Sequence, residues 1–428
     1  MGFSIFAYVA FLILVALLST RLMRIFKLPN VTGYIITGII VGPFVFGLLF
    51  NHFSFQNIEN SLIYNYVNQI KWVSSVALGF IAFSIGTSFK VSVLKSVGKR
   101  VLIITIFEAL LASVAVILVL LGLYFIIPDK VSIELVLTLG AIASATAPAA
   151  TLMVIKQYQA KGKLVDTLLP VVALDDAAAL ILFSVLFQVA TTLGQSGELS
   201  IYKMLFKPMI EIFLSIFFGA IIGFVISLFN KWFKSRNNRL ALIIFAIFAS
   251  LGIYELFKIE ALGSFELSSL LMCMSIGVIY TNMSRDSGPT LDLLERFTSP
   301  IYMMFFVISG ASLNLNIFFS KGGLIVIGIA FAYILSRVVG KWLGAYTGSS
   351  ITKCEPEIKK YLGLTLIPQA GVAIGLATTA NLLFAKEGNM MASNLVIAII
   401  LTSTLVYELV GPVLSKYALK KAGAITKD

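Results

Sequence analysis

The stretch Val171-Val172-Ala173-Leu174-Asp175-Asp176-Ala177-Ala178-Ala179-Leu180 places two adjacent carboxylates inside an apolar run covering 167–193. A run of that length exceeds the roughly 20 residues that a helix needs to cross a bilayer. An ionised carboxylate facing lipid is not tolerable, so at least one of the two faces a water-filled cavity or a cation. Neighbours on a helix point about 100° apart. One aspartate therefore faces a pathway and the other a polar partner. A buried structural ion pair is the plainer reading of such a pair; two adjacent aspartates in mid-membrane point instead to cation or proton transport.

The rest of the chain agrees with a lipid solvent. Of 428 residues, 59% are hydrophobic and 12% charged, and the mean hydropathy is +0.99. Disorder requires the opposite composition, and a soluble globule has no interior large enough for this much apolar surface. Thirteen apolar segments are read, over 3–24, 31–50, 67–88, 100–127, 133–156, 167–193, 208–230, 240–257, 262–283, 298–319, 322–347, 360–385 and 391–417. The fold expected is an all-α polytopic membrane protein of about thirteen spans. The first segment lacks a basic leader and is followed by Arg21, Arg24 and Lys27 instead of a small-residue cleavage site, so a retained span is expected and not a removable signal peptide. The tail after Tyr417 is too short to fold alone, and no soluble regulatory domain is expected. Cys273 and Cys354 have no C-x-x-C partner, and the single histidine, His52, lies in a polar loop. A disulfide framework, a resident metal and a cofactor are all unexpected.

The net charge of +12 would suggest nucleic acid in a soluble protein. Here the cations sort by loop. Every connection after an odd-numbered segment is rich in Lys and Arg, and every one after an even-numbered segment is poor, 23 cations against 7. By the positive-inside rule the rich side is cytoplasmic. The N-terminus is then expected outside and the C-terminus inside, in a cell membrane of prokaryotic type. The remaining two cations, Arg337 and Lys341, lie within the eleventh segment. They are four apart on one helix face, and an intramembrane charge is by default functional. Snorkelling to an interface is the plainer alternative.

Two segments carry helix-breaking chemistry. The fifth reads Ala143-Ser144-Ala145-Thr146-Ala147-Pro148-Ala149-Ala150-Thr151, and the twelfth Leu366-Ile367-Pro368-Gln369-Ala370-Gly371. Proline removes a donor and disrupts a helix, and paired interrupted spans in corresponding halves mark a transporter binding site. Broken half-helices are expected to offer free main-chain carbonyls and amides to an ion. Segments four to six match eleven to thirteen in order: a charged helix (Glu108; Arg337), a broken helix (Pro148; Pro368) and an acidic helix (Asp175 and Asp176; Glu408). Two inverted six-helix repeats with two discontinuous crossing helices follow, with the seventh segment between them. Glu108 is read either as facing Arg337 through the repeat symmetry or as a plain polar core contact, and Glu408 is expected at an interface or cap. Gly219 and Gly223 form a G-x-x-x-G suited to close helix contact, and a contact between two copies is expected there.

At this point a family resemblance becomes legible. Lys27-Leu28-Pro29-Asn30-Val31-Thr32-Gly33-Tyr34-Ile35 through Gly42-Pro43 is similar to the second-span signature of monovalent cation:proton antiporters. Asp175-Asp176 resembles the paired aspartates of the CPA2 branch, the Kef/NapA-like proteins. Phe305-Phe306-Val307-Ile308-Ser309-Gly310-Ala311-Ser312-Leu313 resembles an F-F-V-x-x-G-x-x-L segment, and Ser336-Arg337-Val338-Val339-Gly340 the place of a basic core residue. The likeness covers nearly the whole chain in order. It implies an NhaA/NapA-like fold over 1–428, with core helices at about 100–193 and 322–417 and dimerisation or gate helices at about 1–88 and 208–319. It further implies a homodimer whose core moves elevator-like, with Asp176 binding Na⁺ or a proton competitively and Asp175 contacting the basic residue. Thr146 and Ser144 fall where the family places ion-site polar groups. Some relatives have an acid where Ala147 precedes the proline.

The function expected is secondary active antiport, not enzyme catalysis: a monovalent cation, Na⁺ first and Li⁺ second, exchanged for protons and serving pH homeostasis. The alternative is a K⁺/H⁺ antiporter or a Kef-like K⁺ efflux transporter without its regulatory domain. An intramembrane aspartyl protease needs its aspartates on separate helices, and a bile-acid-type symporter accounts neither for the aspartate pair nor for the basic residue. Arginine does not give up its proton, so Arg337 is expected as a fixed counter-ion of Asp175 or Glu108. Any second proton would come from Asp175, Lys341 or elsewhere.

Overall fold

A computed structural model describes residues 4–45, 62–87, 91–128, 130–194, 206–258, 267–284, 288–312, 323–386 and 388–425. His52 and the final motif residue, Leu313, lie outside these. The described chain is helical: α1 (Ile5–Ile25), α2 (Asn30–Val41), α3 (Leu62–Ile70), α4 (Trp72–Thr87), α5 (Val91–Ile126), α6 (Ile133–Ile142), α7 (Pro148–Gln157), α8 (Lys163–Gly194), α9 (Lys207–Trp232), α10 (Arg236–Lys258), α11 (Ser269–Met283), α12 (Gly288–Ala311), α13 (Gly323–Ile351), α14 (Pro356–Thr365), α15 (Gly371–Lys386) and α16 (Met390–Lys421). Among the described residues, eight helical stretches are long and apolar enough to cross a bilayer, and α2, α6 and α11 are shorter apolar helices. Large apolar side chains such as Leu18, Leu118, Phe213 and Phe245 lie exposed on long helices. Helices that are apolar on their outer faces as well suit a lipid solvent.

The chain forms two compact units, 1–96 with 209–313 and 97–208 with 314–428. In the first, α4 packs along α11 and α2 along α12, with α1 against α2. Glycine makes these approaches possible. A Cβ on Gly38 would strike Val307 O and Ala311 N, and one on Gly310 would strike Ile35 O. The two signature stretches around Gly38 and Gly310 are thus each other's packing partners. Gly219 and Gly223 of α9 are likewise occupied within this unit, against Met272, Ser275, Ile276 and Ile279 of α11. The expected contact between copies through this pair is therefore corrected: its surface is already covered by α11.

In the second unit α6 packs on α8, α15 on α16, and α13 on α14 and α16. One apolar cluster joins Leu135, Leu139, Phe183, Ile329, Ala377, Phe384, Val396 and Ile400. Another joins Val101, Ile104, Val154, Leu164, Leu168, Leu362 and Leu419.

Candidate functional site

The site begins with two interruptions. After α6 the chain is non-helical over 143–147, and α7 starts at Pro148; after α14 it is non-helical over 366–370, and α15 starts at Gly371. Proline suits the first helical position, where its missing donor costs nothing. Proline alone does not make the break, since Pro170, Pro300 and Pro412 lie inside α8, α12 and α16. What distinguishes 143–147 and 366–370 is that each supplies the other's partners. The Ala147 amide donates to Pro368 O at 2.8 Å. Gln369 Nε2 donates to Ile142 O at 2.9 Å, and Tyr333 donates to Gln369 Oε1 at 3.1 Å. The Thr146 hydroxyl reaches Leu366 O at 3.4 Å, and Thr151 donates to Thr365 O at 2.9 Å and lies 3.3 Å from the Ser415 hydroxyl. Buried main-chain groups at helix ends need such partners.

Arg337 completes the crossing. Its Nε donates to Ala143 O at 2.9 Å, one terminal nitrogen to Ile367 O at 2.7 Å and the other to Ala145 O at 2.6 Å. The guanidinium carbon lies 4.7 Å over the Tyr407 ring. Helix C-termini carry partial negative charge, and Arg337 is set between two of them. This corrects two expectations. Arg337 binds carbonyls and is not the counter-ion of Asp175 or Glu108, and those carbonyl ends are taken by a protein cation. The planar fork with its five donors explains why arginine serves here.

The carboxylates are met by Lys341. Its Nζ lies 2.5 Å from Glu108 Oε2 and 3.0 Å from Asp175 Oδ2, and it donates to Ser144 O at 2.5 Å. Both Arg337 and Lys341 are fully buried, so neither snorkels. Lys341 reaches Glu108 because α13 presents Gly340, Gly344 and Gly348 to α5, where Cβ atoms would strike Ala112, Glu108 and Ile104. Glu108 therefore faces Lys341, one helical turn from the partner expected for it. Buried ions require such pairing to offset their lost hydration.

Asp176 is different. It is 4% exposed, and its Oδ1 has no hydrogen-bond partner. Its neighbour Asp175 keeps Oδ1 without a hydrogen bond but holds Lys341 with Oδ2. The Ser144 hydroxyl turns back to Ala141 O at 2.7 Å. Of the residues singled out by sequence, Ser144, Asp175, Glu108 and Lys341 come together directly, while Thr146, Pro368, Gln369 and Arg337 build the crossing beside them.

The model of the family described as "Sodium/hydrogen exchanger, transmembrane" matches residues 10–416. The chain belongs to the sodium/hydrogen exchanger family. Its fold is similar to that of the sodium proton antiporter MjNhaP1 from Methanocaldococcus jannaschii. The structure of that protein at pH 8 gives a TM-score of 0.66 at 17% identity, over 97% of this chain and 98% of the other. The electron-microscopy map of the same antiporter gives 0.72 at 17% identity, over 99% of each chain. No curated protein matches the chain by sequence.

The exchanger is accordingly a multi-pass membrane protein and a secondary transporter of the cation/proton antiport class, with Na⁺ and H⁺ as the family's transported ions. Several residues of the site carry little signal in the sequence. Tyr407 lies beneath Arg337 and donates to Ile334 O at 3.2 Å; Tyr333 orients Gln369; and Thr151 and Ser415 tie α7 to α16. Only the small-residue run Gly340-x-x-x-Gly344-x-x-x-Gly348 carried a readable signal, the promise of a close neighbour for α13. Glu408, expected at an interface or cap, is 2% exposed within α16.

Proposed function

We propose that the exchanger moves Na⁺ against H⁺ by alternating access, with both ions competing for Asp176. The observation that supports this most directly is the contrast between two neighbours on α8. Asp175 already holds Lys341, whereas Asp176 is buried with an oxygen lacking any hydrogen bond. A bare carboxylate away from water is costly, so Asp176 is best accommodated with a proton or a cation. Arrival of one then releases the other, and access from alternate sides turns that competition into exchange. Thr146 and Ser144, where the family resemblance implies ion-site polar groups, are the candidates for further oxygen ligands.

The rest of the reading extends this core. The unit 97–208 with 314–428 is the ion-carrying core, built as inverted repeats and moving elevator-like. The unit 1–96 with 209–313 supplies the gate and the contacts of a homodimer. The adjacent aspartates support a reading within the CPA2 branch, and the loop cations support an N-terminus outside and a C-terminus in the cytoplasm.

The test is ion-driven proton flux in proteoliposomes, with Na⁺, Li⁺ and K⁺ offered separately. Wild type is expected to collapse a preformed pH gradient with Na⁺ and, more weakly, Li⁺, and Asp176→Asn to be silent. Flux retained in Asp176→Asn defeats the assignment of Asp176. Flux with K⁺ alone would make the exchanger a K⁺/H⁺ antiporter.

A further inference from the structure

The half-helix α7 is held at both ends by distant parts of the chain. At its start, the Ala147 amide donates to Pro368 O and the Thr151 hydroxyl to Thr365 O. At its end, the Lys416 ammonium lies 4.5 Å over the Tyr158 ring, and the Lys161 amide donates to Ala424 O at 3.0 Å. The second set exists because the chain turns back after α16. Gly423 takes φ +71°, a left-handed conformation that suits glycine at a helix end, and the Ala424 amide closes the turn on Leu419 O at 2.9 Å. Ala424 and Ile425 are thereby buried in the apolar cluster that holds Val154 and Ile155 of α7, Leu164 and Leu168 of α8, and Ile358 and Leu362 of α14.

This fold-back covers the connection between α7 and α8. Residues 158–162 include two left-handed positions, Gln159 at φ +48° and Gly162 at φ +119°. A non-glycine residue keeps that conformation only where its surroundings impose it. Moreover, α7 packs more extensively on α16 than on α8, the helix that follows it in sequence. The register of α7 against α8 is therefore set by their connection and by what covers it. Ser144 and Thr146 directly precede α7, and Asp176 lies on α8. A slip of one residue along either helix axis would displace one side of the ion site from the other by about 1.5 Å, whereas metal–ligand distances are fixed to within about 0.2 Å. We infer that residues 416–425 form a strap that sets the register of α7 against α8, and through it the affinity of the ion site for Na⁺. Lys416, Ala424 and Ile425 are positioning residues in this role. The inference rests on Asp176 being the site at which Na⁺ binds.

The experiment uses linkage: if docking of the strap favours Na⁺ binding, Na⁺ binding favours docking by the same factor. The Lys161 amide reports docking locally, because its hydrogen exchange is slow while Ala424 O accepts from it. Hydrogen exchange at residues 158–163 of the full-length protein is followed by mass spectrometry at alkaline pH, in saturating Na⁺ and with choline in its place. Na⁺ is expected to slow it about fivefold in wild type, toward the lower end of coupling between sites, and to have no effect in Asp176→Asn. Ile425→Glu expels the strap, since its charge is not tolerated in the apolar cluster. This variant is expected to exchange hydrogen faster at 158–163 and to bind Na⁺ about fivefold more weakly by calorimetry. Its maximal flux in proteoliposomes is expected to stay within about twofold of wild type, since lost ground-state binding spares turnover. Ile425→Leu, which conserves volume, is expected to restore both slow hydrogen exchange and Na⁺ affinity.

An Ile425→Glu protein that exchanges hydrogen faster at 158–163 yet binds Na⁺ as wild type does overturns the inference, because the strap would then be docked without governing the site. Na⁺ binding weakened equally in Ile425→Leu and Ile425→Glu overturns it too. So does hydrogen exchange at 158–163 of wild type that Na⁺ leaves unchanged; this measurement needs no variant and decides the matter should Ile425→Glu fail to insert. Na⁺ binding and Na⁺ protection that both persist in Asp176→Asn uphold the strap and overturn instead the reading of Asp176 as the ion site.

Discussion

Gly344 of α13 lies flat against the main chain of Glu108 on α5: a Cβ at this position would collide with Glu108 Cα and Phe107 O. Gly340 and Gly348 extend the seam one turn in each direction, against Ala112 and Ile104. Small residues let membrane helices approach closely. Here the approach brings a lysine on one helix to a glutamate on the other, so packing and electrostatics are set by the same three residues.

Substituting Gly344 tests that link. Gly344→Val forces α13 from α5 and is expected to lower stability by about 1–3 kcal/mol, the usual cost of overpacking. Gly375 of α15 has nothing within 4 Å of an added Cβ, so Gly375→Ala is expected to be neutral or slightly stabilising. Thermal melting of the detergent-solubilised protein compares the two. Equal melting temperatures for both variants would show that the seam carries no constraint.

The reach of sequence reading is clear from these residues. Asp175, Asp176, Pro148 and Pro368 were legible because charge and proline are conspicuous in apolar helices. Glu108 was assigned to the right helix but to the wrong partner. Arg337 and Lys341 share a face, and which of them reaches the carboxylates depends on packing that their spacing does not reveal. The pair Gly219 and Gly223 shows the same limit: the motif promises a close neighbour and does not name it, and the neighbour is α11 of the same unit. Tyr407 was invisible because an aromatic in an apolar helix ordinarily signifies packing alone.

The bracket made by Arg337 is expected to fail when its shape changes at constant charge. Arg337→Lys keeps a cation but has no planar fork for Ala143, Ala145 and Ile367, and loses the stacking on Tyr407. Hydrogen bonds to charged groups contribute about 1.5–3 kcal/mol each, so loss of one or two lowers the melting temperature by several degrees. Arg337→Gln, which also leaves the helix ends without a cation, is expected to be worse. An Arg337→Lys protein as stable as wild type would mean that charge alone holds the crossing.

Lys341 is predicted to be the most sensitive position in the core. Lys341→Met leaves Glu108 and Asp175 buried together without their cation, and breaking a buried pair by removing one partner costs about 3–5 kcal/mol. Adding Glu108→Gln to Lys341→Met removes one stranded charge and is expected to recover part of that loss. The double-mutant cycle reads the coupling directly. Additive effects of the two substitutions would deny that these groups act as one cluster.

The last prediction concerns pH, at a pair outside the buried core. Lys163, the first residue of α8, lies 2.8 Å from Glu355, which precedes α14. The hydrogen bond and charge of Lys163 hold the Glu355 carboxyl below its ordinary value of 4.5. A carboxyl depressed on folding stabilises the folded state above its unfolded value, and that contribution is lost as pH falls through the lower folded value. Lys163→Gln is therefore expected to melt slightly below wild type near pH 7, with the gap closing as pH drops below 4.5 toward the folded value. Because the lysine side chain is 75% exposed, the gap is small and shrinks in 1 M salt, where charges are screened within about 3 Å. Melting both proteins across pH 3–7 at low and high salt checks this. A gap that persists unchanged in acid and in salt would assign the effect of Lys163 to packing of its stem and not to its charge.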